Sequence, residues 1–306
     1  MNPREFAFHS RGSGANTAID QAAEIAKQLG GRRSGTGWIA LCPAHGDRTA
    51  SLYLANRAGR VLVKCHAGCE QSAVVQALKD RGLWSARTTG SVAPVPVGDH
   101  LEAERIRIAQ LMWRGALPAE NSGAERYLRA RGIAGAVPPS IRFLPKVRHT
   151  FSGKWFPALV AAVTVFPSRE VTGVHRIFLS PTFSKALVSP AKMTLGSIKG
   201  GAVRFAPAGE RLGLGEGIED MLSVMDAEPS LPCWSVLGAS GFSSVVLPSP
   251  PLATEVLLFA DNDAIGLRAV RDAALRFTRD GRRVRIVLPP KGAKDFNEAL
   301  QRAVSK

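Results

Sequence analysis

Three cysteines and one histidine form two short pairs in the first quarter of the sequence. Two residues separate Cys42 from His45, and nineteen residues separate His45 from the second pair, Cys65 and Cys69. Two turns that each present two soft or borderline ligands match tetrahedral zinc, and four protein ligands leave no open position. The second pair has three intervening residues, and His66-x2-Cys69 is an alternative spacing. The pattern predicts a structural zinc ion whose third ligand is either Cys65 or His66.

Acidic residues follow the ends of apolar runs in the last third of the chain. Glu216 follows residues 212–215, and the run 256–260 ends in Asp261, Asn262 and Asp263. Asp295 follows a third strand-like run. The carboxyl ends of neighbouring parallel strands meet at one edge of an open sheet, where such sheets build their sites. Because hard divalent cations prefer oxygen ligands, we expect Asp261, Asp263 and Asp295 to bind Mg²⁺ or Mn²⁺.

Each acid has a simpler explanation when it is considered alone. Asp261 would then cap a helix, Asp263 would be a first-turn charge favoured by the helix dipole, and Asp295 would be an N-cap. Glu219 is expected to be a solvated helix residue. The recurrence of acids after successive strands favours the metal site for the three aspartates.

The elements that must position these residues alternate in type along the chain. The last third reads as strand 211–215, helix 217–226, strands 233–237 and 255–260, helix 265–279, strand 283–288 and helix 296–304. This rhythm predicts a largely parallel, Rossmann-like α/β domain. Near the cysteines we predict helix 17–29, a β-hairpin of strands 51–54 and 60–64, and helix 71–81.

Between these regions lies a stretch of mixed character. Residues 85–99 are rich in Ser, Thr, Pro, Val and Gly and are predicted to be a linker. Helices are predicted at 100–117 and 124–131, and strands at 158–166 and 170–179. We therefore predict a multi-domain α/β protein: a zinc-binding domain at 1–84, a linker at 85–99, a mixed α+β domain at 100–208 and a parallel α/β domain at 209–306.

The charge balance points to a polyanionic partner. Forty Lys and Arg residues against twenty-five Asp and Glu give a net charge of +15, which favours nucleic acid. No apolar run reaches the roughly 18 residues of a membrane span, and the first residues lack the apolar core of a secretory signal. We expect a cytoplasmic protein whose clustered cysteines bind metal, with the isolated Cys233 in the core.

Together these motifs resemble the Toprim fold shared by bacterial primases, topoisomerases and some nucleases. Glu216-Gly and Asp261-Asn-Asp263 with Gly266 match its two signatures, and Lys294-Asp295-Phe-Asn297 resembles a segment that often ends the primase versions. The cysteine segment resembles the primase-type zinc ribbon of the Cys-His-Cys-Cys class. The order of zinc ribbon, linker, middle domain and Toprim domain is similar to that of phage and plasmid primases, over residues 35–84 and 100–300.

The resemblance implies a DNA primase that makes short primers by metal-dependent nucleotidyl transfer during DNA replication. Single-stranded DNA and nucleoside triphosphates would be its partners, and the zinc ribbon would contact the template. Glu216 would be a further metal ligand or a general acid/base. The sequence contains no G-x-x-x-x-G-K-[ST] motif, so any replicative helicase would be a separate protein.

Basic residues of the middle region are candidates for contacts with phosphates. The strand-like run 174–178 places His175 and Ile177 on one face and Arg176 on the other. Trp155 and Phe183 are expected to pack in the core. The candidates for nucleic-acid or nucleotide binding are Arg148, His175, Arg176, Lys185, Lys192 and Lys199.

Two other functions fit the same features. A Toprim nuclease would use the same metal ions to cut phosphodiesters, and the N-terminal zinc ribbon argues against it. A non-catalytic accessory protein that binds single-stranded DNA would keep the folds without the activity, and the intact Glu216, Asp261 and Asp263 argue against that. A topoisomerase is disfavoured because neither of the two tyrosines, Tyr53 and Tyr127, lies in an evident nucleophile context.

Overall fold

The computed structural model describes residues 21–34, 37–47, 50–57, 60–65, 68–84 and 98–305. The chain divides into two compact units, Met1–Val95 and Pro96–Lys306. Most of the predicted linker lies outside the described residues, as does His66. The predicted multi-domain α/β class is confirmed. Among the described helices, none combines the length and the apolar character that a bilayer crossing requires.

The first unit is a small antiparallel sheet with two helices. Its strands pair in sequential order, and the hairpin of β3 and β4 carries the second cysteine pair at its end, as predicted. Leu52 and Leu54 of that hairpin pack with Ile25, Val74 and Leu78 of the helices. The elements are α1 (Gln21–Gln28), β1 (Arg32–Ser34), β2 (Gly37–Ala40), β3 (Leu52–Arg57), β4 (Arg60–Cys65) and α2 (Gln71–Asp80).

The second unit begins with a five-stranded antiparallel sheet whose strands also pair in sequential order. Strands β7 and β8 and both helices match the sequence prediction, whereas β5, β6 and β9 were not predicted. The elements are α3 (Gly98–Arg114), β5 (Leu117–Pro118), α4 (Gly123–Ala130), β6 (Ile141–Arg148), β7 (Trp155–Thr164), β8 (Val171–Phe178) and β9 (Lys192–Gly196).

The rest of the second unit is a second sheet with the order β10-β12-β11-β13-β14, in which only β10 is antiparallel to its neighbour. The chain passes from β11 to β12 on one side and then crosses to β13 on the other side of β11, so the order of the strands reverses between β11 and β13. Open α/β sheets place their ligands at such a point. The elements are β10 (Val203–Arg204), β11 (Arg211–Gly215), α5 (Ile218–Ala227), β12 (Cys233–Ser235), α6 (Gly241–Ser244), β13 (Glu255–Phe259), α7 (Ala264–Arg279), β14 (Arg283–Val287) and α8 (Phe296–Val304).

One apolar core joins the two sheets of the second unit. Along β13, Leu257 and Phe259 enter this shared core, while Val256 and Leu258 face the core under α7. The facing side of the antiparallel sheet contributes residues such as Ile177 to the same core. The alternation follows from the two-residue period of a strand. Residues from either side of the predicted boundary at position 208 are therefore packed together.

Candidate functional site

The predicted zinc ligands meet at one point of the first unit. One ligand atom each of Cys42, His45, Cys65 and Cys69 lies within 4.8 Å of every other. The Nδ1 atom of His45 is 3.1 Å from the Sγ of Cys69 and 4.0 Å from that of Cys65. These spacings fit ligands about 2.0 to 2.3 Å from a common ion. Burial, together with the neighbouring Cys65, raises the pKa of Cys42 to about 12, a cost that a bound dication reverses.

Asp47 supports the cluster from behind the first ligand pair. One of its oxygens accepts hydrogen bonds from the backbone N–H of Cys42 at 2.8 Å and from the hydroxyl of Ser51 at 2.6 Å. The other oxygen lies 3.6 Å from Nε2 of His45. A carboxylate on the outer nitrogen of a histidine fixes the ring so that the inner nitrogen faces the metal. The local fold therefore orients His45 so that its Nδ1 atom would ligate the metal.

Acids at the ends of β11 and β13 line a cavity of about 310 Å³ in the second unit. Glu216 follows β11 and Asp261 follows β13, so both lie at the reversal in strand order. Asp295, at the start of α8, lines the same cavity, and so does Asp220 in the first turn of α5. The structure thus brings three of the predicted acids together and adds one that the sequence analysis missed.

Glu216 is seated against the start of α7. Burial raises its pKa to about 7, and the negative charges of Asp261 and Asp263 add to the shift. Its Oε1 atom is buried and has no hydrogen-bond partner among the described residues. A Cβ atom on Gly266 would lie 3.0 Å from that oxygen, so glycine is what leaves room for the carboxylate.

Asp220 was missed because nothing in the sequence distinguishes it from a first-turn helix charge. Its Oδ1 accepts the backbone N–H of Asn297 at 3.1 Å, which ties α5 to α8. The Asn297 side chain in turn donates to the carbonyl of Arg131 and to the hydroxyl of Ser223, each at 2.9 Å. Burial raises the pKa of Asp220 to about 6, with further contributions from Asp295 and Asp261.

Asp263 and Asp295 are both helix caps. Asp263, rather than Asp261, is the N-cap of α7, and it accepts the N–H groups of Ile265 and Gly266 at 3.0 and 2.8 Å. Asp295 caps α8 by accepting the N–H of Glu298 at 2.7 Å. Asp263 does not line the cavity. Its role as a metal ligand stays a prediction.

Cations from the antiparallel half of the unit line the same cavity. Arg131 ends α4, His175 lies on β8, Lys185 follows β8 and Lys192 begins β9, while Lys294 precedes α8. His175 and Ile177 share the inner face of β8, as the alternation predicted. Burial, assisted by the charge of Lys192, lowers the pKa of His175 to about 4, so His175 is neutral near pH 7.

Glu219 corrects an expectation drawn from the sequence, because it is not a solvated helix residue. It is 3% exposed, and its Oε1 accepts the hydroxyl of Tyr127 at 2.8 Å. Its Oε2 accepts the ammonium of Lys192 at 3.0 Å. Burial alone would raise the pKa of Glu219, but Lys192 and Tyr127 outweigh burial and hold it at about 2.

Three of the predicted basic residues lie away from the cavity. Arg176 is 5% exposed and faces the α3 side of the sheet, where its guanidinium donates to the carbonyl of Thr194. Lys199 is exposed in the turn before β10. Arg148 lines a separate groove between α3 and the β6–β7 hairpin.

That groove also contains Trp155, which was expected in the core. Trp155 is 57% exposed, and the Nζ of Lys146 lies 5.3 Å from the centre of its ring. Phe183, in contrast, packs edge to face on Phe143 at 6.1 Å between ring centres. An exposed indole beside two cations is the arrangement on which single-stranded bases stack.

The donor atoms at both sites fit the metals that the sequence predicted. Three thiols and one imidazole are the ligand set of structural zinc. The second cavity offers carboxylate oxygens, the ligands of Mg²⁺ and Mn²⁺. The unpaired oxygen of Glu216 and the raised pKa of Asp261, caused by burial and by Asp295 and Asp263, indicate acids whose negative charge the neighbouring lysines do not fully offset.

Two family models match the second unit. Residues 211–305 match the Toprim domain, and residues 103–205 match Domain of unknown function (DUF7146). The chain therefore carries a Toprim domain at its C-terminal end. No curated protein matches the sequence.

Several solved primase structures are similar to the chain at low identity. The zinc-binding and RNA polymerase domains of the Aquifex aeolicus primase are 15% identical, over 93% of this chain and 80% of that one, with a TM-score of 0.40. A DnaG primase catalytic domain bound to single-stranded DNA is 14% identical over 67% of this chain and 76% of that one, with a TM-score of 0.44. The primase fragment of the bacteriophage T7 primase-helicase protein is 17% identical over 85% of this chain and 93% of that one, with a TM-score of 0.38. With every TM-score below 0.5, the functional assignment rests on the Toprim domain and the residues of the cavity.

Proposed function

We propose, from the premise of a Toprim domain at residues 211–305, that this chain is a DNA primase. It would join nucleotides into short primers on single-stranded DNA. The observation that supports this most is the composition of the cavity, in which acids of the Toprim domain face cations supplied by residues 103–205. Both kinds of residue suit the joining of nucleotides, because the reaction accumulates negative charge on phosphate oxygens. Acids can hold divalent cations that neutralise this charge, and basic side chains can bind the phosphates directly.

Asp261, Asp263 and Asp295 would hold Mg²⁺ or Mn²⁺, and Asp220 is added to this set because it lines the same cavity. Such ions, when bound, lower the pKa of an attacking hydroxyl and neutralise charge on the leaving group. Glu216 would either complete the ligand set or take the proton of the attacking 3′-hydroxyl, since its pKa of about 7 allows it to exchange a proton near neutral pH.

Lys185, Lys192 and Arg131 would bind the phosphates of the incoming nucleoside triphosphate, with His175 forming part of the wall. The three cations belong to the segment 103–205, whereas the acids of the cavity belong to the Toprim domain. Their contacts are to phosphate rather than to bases, so they hold any nucleotide without reading its identity. Arg176 and Lys199, which lie elsewhere, are no longer part of this proposal.

The template would be single-stranded DNA. Trp155, with Lys146 and Arg148 beside it, offers a stacking surface with phosphate contacts. The first unit, with zinc held by its four ligands, would contact the template as well. We further propose that the protein acts in the cytoplasm and that strand separation is the task of a separate helicase.

A primer-synthesis assay tests this function. The full-length protein is incubated with mixed-sequence single-stranded DNA, labelled nucleotides and Mg²⁺ or Mn²⁺. Asp261→Ala should abolish the short labelled products while DNA binding persists, and Asp272→Ala, which removes an exposed acid on α7, should leave them unchanged.

Two other outcomes would reject the proposal. Metal-dependent degradation of the template would identify a Toprim nuclease. Tight DNA binding by wild type and Asp261→Ala alike, with no product from either, would identify a non-catalytic binding protein.

A further inference from the structure

Glu219 differs from the other acids of the cavity in its contacts. Tyr127 donates to one of its oxygens at 2.8 Å and Lys192 to the other at 3.0 Å. Both partners belong to the segment 103–205, whereas Glu219 lies on α5 of the Toprim domain. Glu216, in contrast, keeps a buried oxygen that has no hydrogen-bond partner among the described residues. Of the acids around one cavity, therefore, one is fully engaged in the protein's own contacts.

Acids and ammonium groups in one small cavity tend to pair with each other. Lys192 is 38% exposed at its side chain, and its four-carbon stem is flexible. Its positive charge already acts on Asp261, where it opposes the effects of burial, Asp295 and Asp263 on the pKa of that acid. An ammonium that moved onto Asp261 would neutralise the charge that a divalent cation needs.

We propose that Glu219 is a positioning residue: it anchors the ammonium of Lys192 away from Asp261, so that the acids remain available to a divalent cation. Lys192 is then left beside the cavity, where phosphate oxygens of a nucleotide can reach it. The inference rests on the proposed metal-dependent function of this cavity. Glu219 would itself be no metal ligand, although it lies next to Asp220 in the sequence.

Tyr127 fixes the anchor. Its side chain is buried within the shared core, and burial together with the charge of Glu219 raises the pKa of the phenol well above its usual range. The hydroxyl therefore keeps its proton and always donates. With one oxygen of Glu219 held in this way, the other is directed at Lys192.

The test measures Mn²⁺ binding by electron paramagnetic resonance on the zinc-loaded full chain. The thiol-rich site of the first unit retains zinc in preference to Mn²⁺, so the signal reports the acidic cavity. Glu219→Gln keeps the shape and the acceptor for Tyr127 but turns an amide towards Lys192. Release of the ammonium should then weaken Mn²⁺ binding about tenfold.

The decisive variant combines Glu219→Gln with Lys192→Met. Because the released ammonium of Lys192 is then absent, Mn²⁺ affinity should return to within about threefold of wild type. Glu219→Gln with Lys199→Met has the same net charge, removes an exposed ammonium away from the cavity and serves as the matched control; its affinity should stay near that of Glu219→Gln alone. Tyr127→Phe should shift affinity in the same direction as Glu219→Gln, by about threefold.

Glu228→Gln removes an exposed acid from the other end of α5 and should leave Mn²⁺ binding unchanged. Unchanged binding in Glu219→Gln, or a Lys192→Met double variant as weak as the single one, would overturn the inference and leave the metal site standing. Wild-type Mn²⁺ binding that is insensitive to Asp261→Asn would instead reject the proposed metal site, and the inference with it. Circular dichroism confirms that each variant is folded.

Discussion

The two candidate metal sites of this protein are assembled in opposite ways. The four candidate zinc ligands lie within 28 positions of the sequence and meet at one end of one small sheet. The acids of the second site are spread from Glu216 to Asp295, and the cations that face them begin at Arg131. A local site is defined by a few turns and its spacing. A distributed site exists only after strands, helices and a second sheet have packed together.

The two sites also differ in how the surrounding fold depends on them. The first unit has a small apolar core, and small domains commonly need a metal to offset the entropy of folding. The second unit has two extensive cores around its Toprim sheet and should be folded whether or not a cation is bound. We therefore expect the acidic site to bind a cation on an already stable scaffold, whereas we expect metal at the four-ligand cluster to stabilise the first unit itself.

Removal of metal should produce the largest difference between the units. A strong chelator should abolish hydrogen-exchange protection in residues 21–84, because zinc binding contributes about 10 to 16 kcal/mol to such folds. Protection in residues 98–305 should persist, as measured by exchange and mass spectrometry on the full chain. Cys69→Ala should give the same pattern, and Cys233→Ala, which changes a thiol of β12, should retain one zinc per chain. Equal loss of protection in both units would contradict the contrast.

The next effect concerns the geometry of the distributed site. Gly266→Ala places a Cβ atom 3.0 Å from the Oε1 of Glu216, so the carboxylate must move. Displacements of about 1 Å cost roughly a hundredfold in rate, and we expect that loss in primer synthesis. At Gly115 an added Cβ has its nearest neighbour at 3.5 Å, so Gly115→Ala should retain activity. Full activity of Gly266→Ala would show that Glu216 is not needed in its present position.

A smaller effect tests how firmly the two halves of the second unit are joined. Tyr127→Phe removes a hydrogen bond to the buried carboxylate of Glu219. Hydrogen bonds to charged groups contribute about 1.5 to 3 kcal/mol, so the free energy of unfolding of residues 98–305 should fall by that amount in urea titrations. The exposed pair of Arg211 and Glu228 gives the comparison, because Arg211→Met should cost less than about 1 kcal/mol.

The smallest effect concerns a buried polar group that needs no metal. His149 is fully buried; its Nδ1 accepts the N–H of Ser152 at 3.1 Å, and its Nε2 lies 3.0 Å from the carbonyl of Pro190. Burial lowers its pKa, and Arg176 adds to that effect. The unfolded chain therefore takes up the proton first as the pH falls.

Stability from His149 should be complete above the unfolded pKa of about 6.5 and should decline below it, by at most about 1.4 kcal/mol per pH unit. Urea unfolding between pH 7.5 and 5 measures this slope. His175, whose pKa is also lowered, contributes with the same sign, so the difference between wild type and His149→Gln isolates His149. An equal slope in the two proteins would show that folding does not lower the pKa of His149.

Much of the fold was predictable from local pattern. The alternation after residue 211 gave every strand and helix of the Toprim domain apart from the four-residue α6 and the order of the strands. In the antiparallel sheet, only β7 and β8 were predicted, because the two-residue β5 and the bulged, proline-containing β6 lack a clean apolar alternation. The cluster of three cysteines and one histidine was predictable because its members are close in sequence, whereas the choice between Cys65 and His66 was not.

The site was less predictable where contacts cross the sequence. Glu219 and Tyr127 are 92 positions apart, and neither carries a local signal of burial. Arg176 and Lys192 were both candidates for phosphate contacts, yet Arg176 faces α3 and Lys192 lines the cavity. Asp220 has the spacing of an ordinary helix charge.

By itself, the sequence determined the classes of chemistry available: soft ligands at zinc spacing, acids after strand ends and an excess of cations. These properties depend on residue type and on distances along the chain, which no packing can alter. Only the tertiary structure decided which acid is a ligand candidate and which is an anchor, because that depends on what each oxygen touches. Glu216 and Glu219 have the same side chain but different neighbours. Glu216 is buried beside Gly266 with one oxygen unpaired, whereas Glu219 is buried against Tyr127 and Lys192, which occupy both of its oxygens.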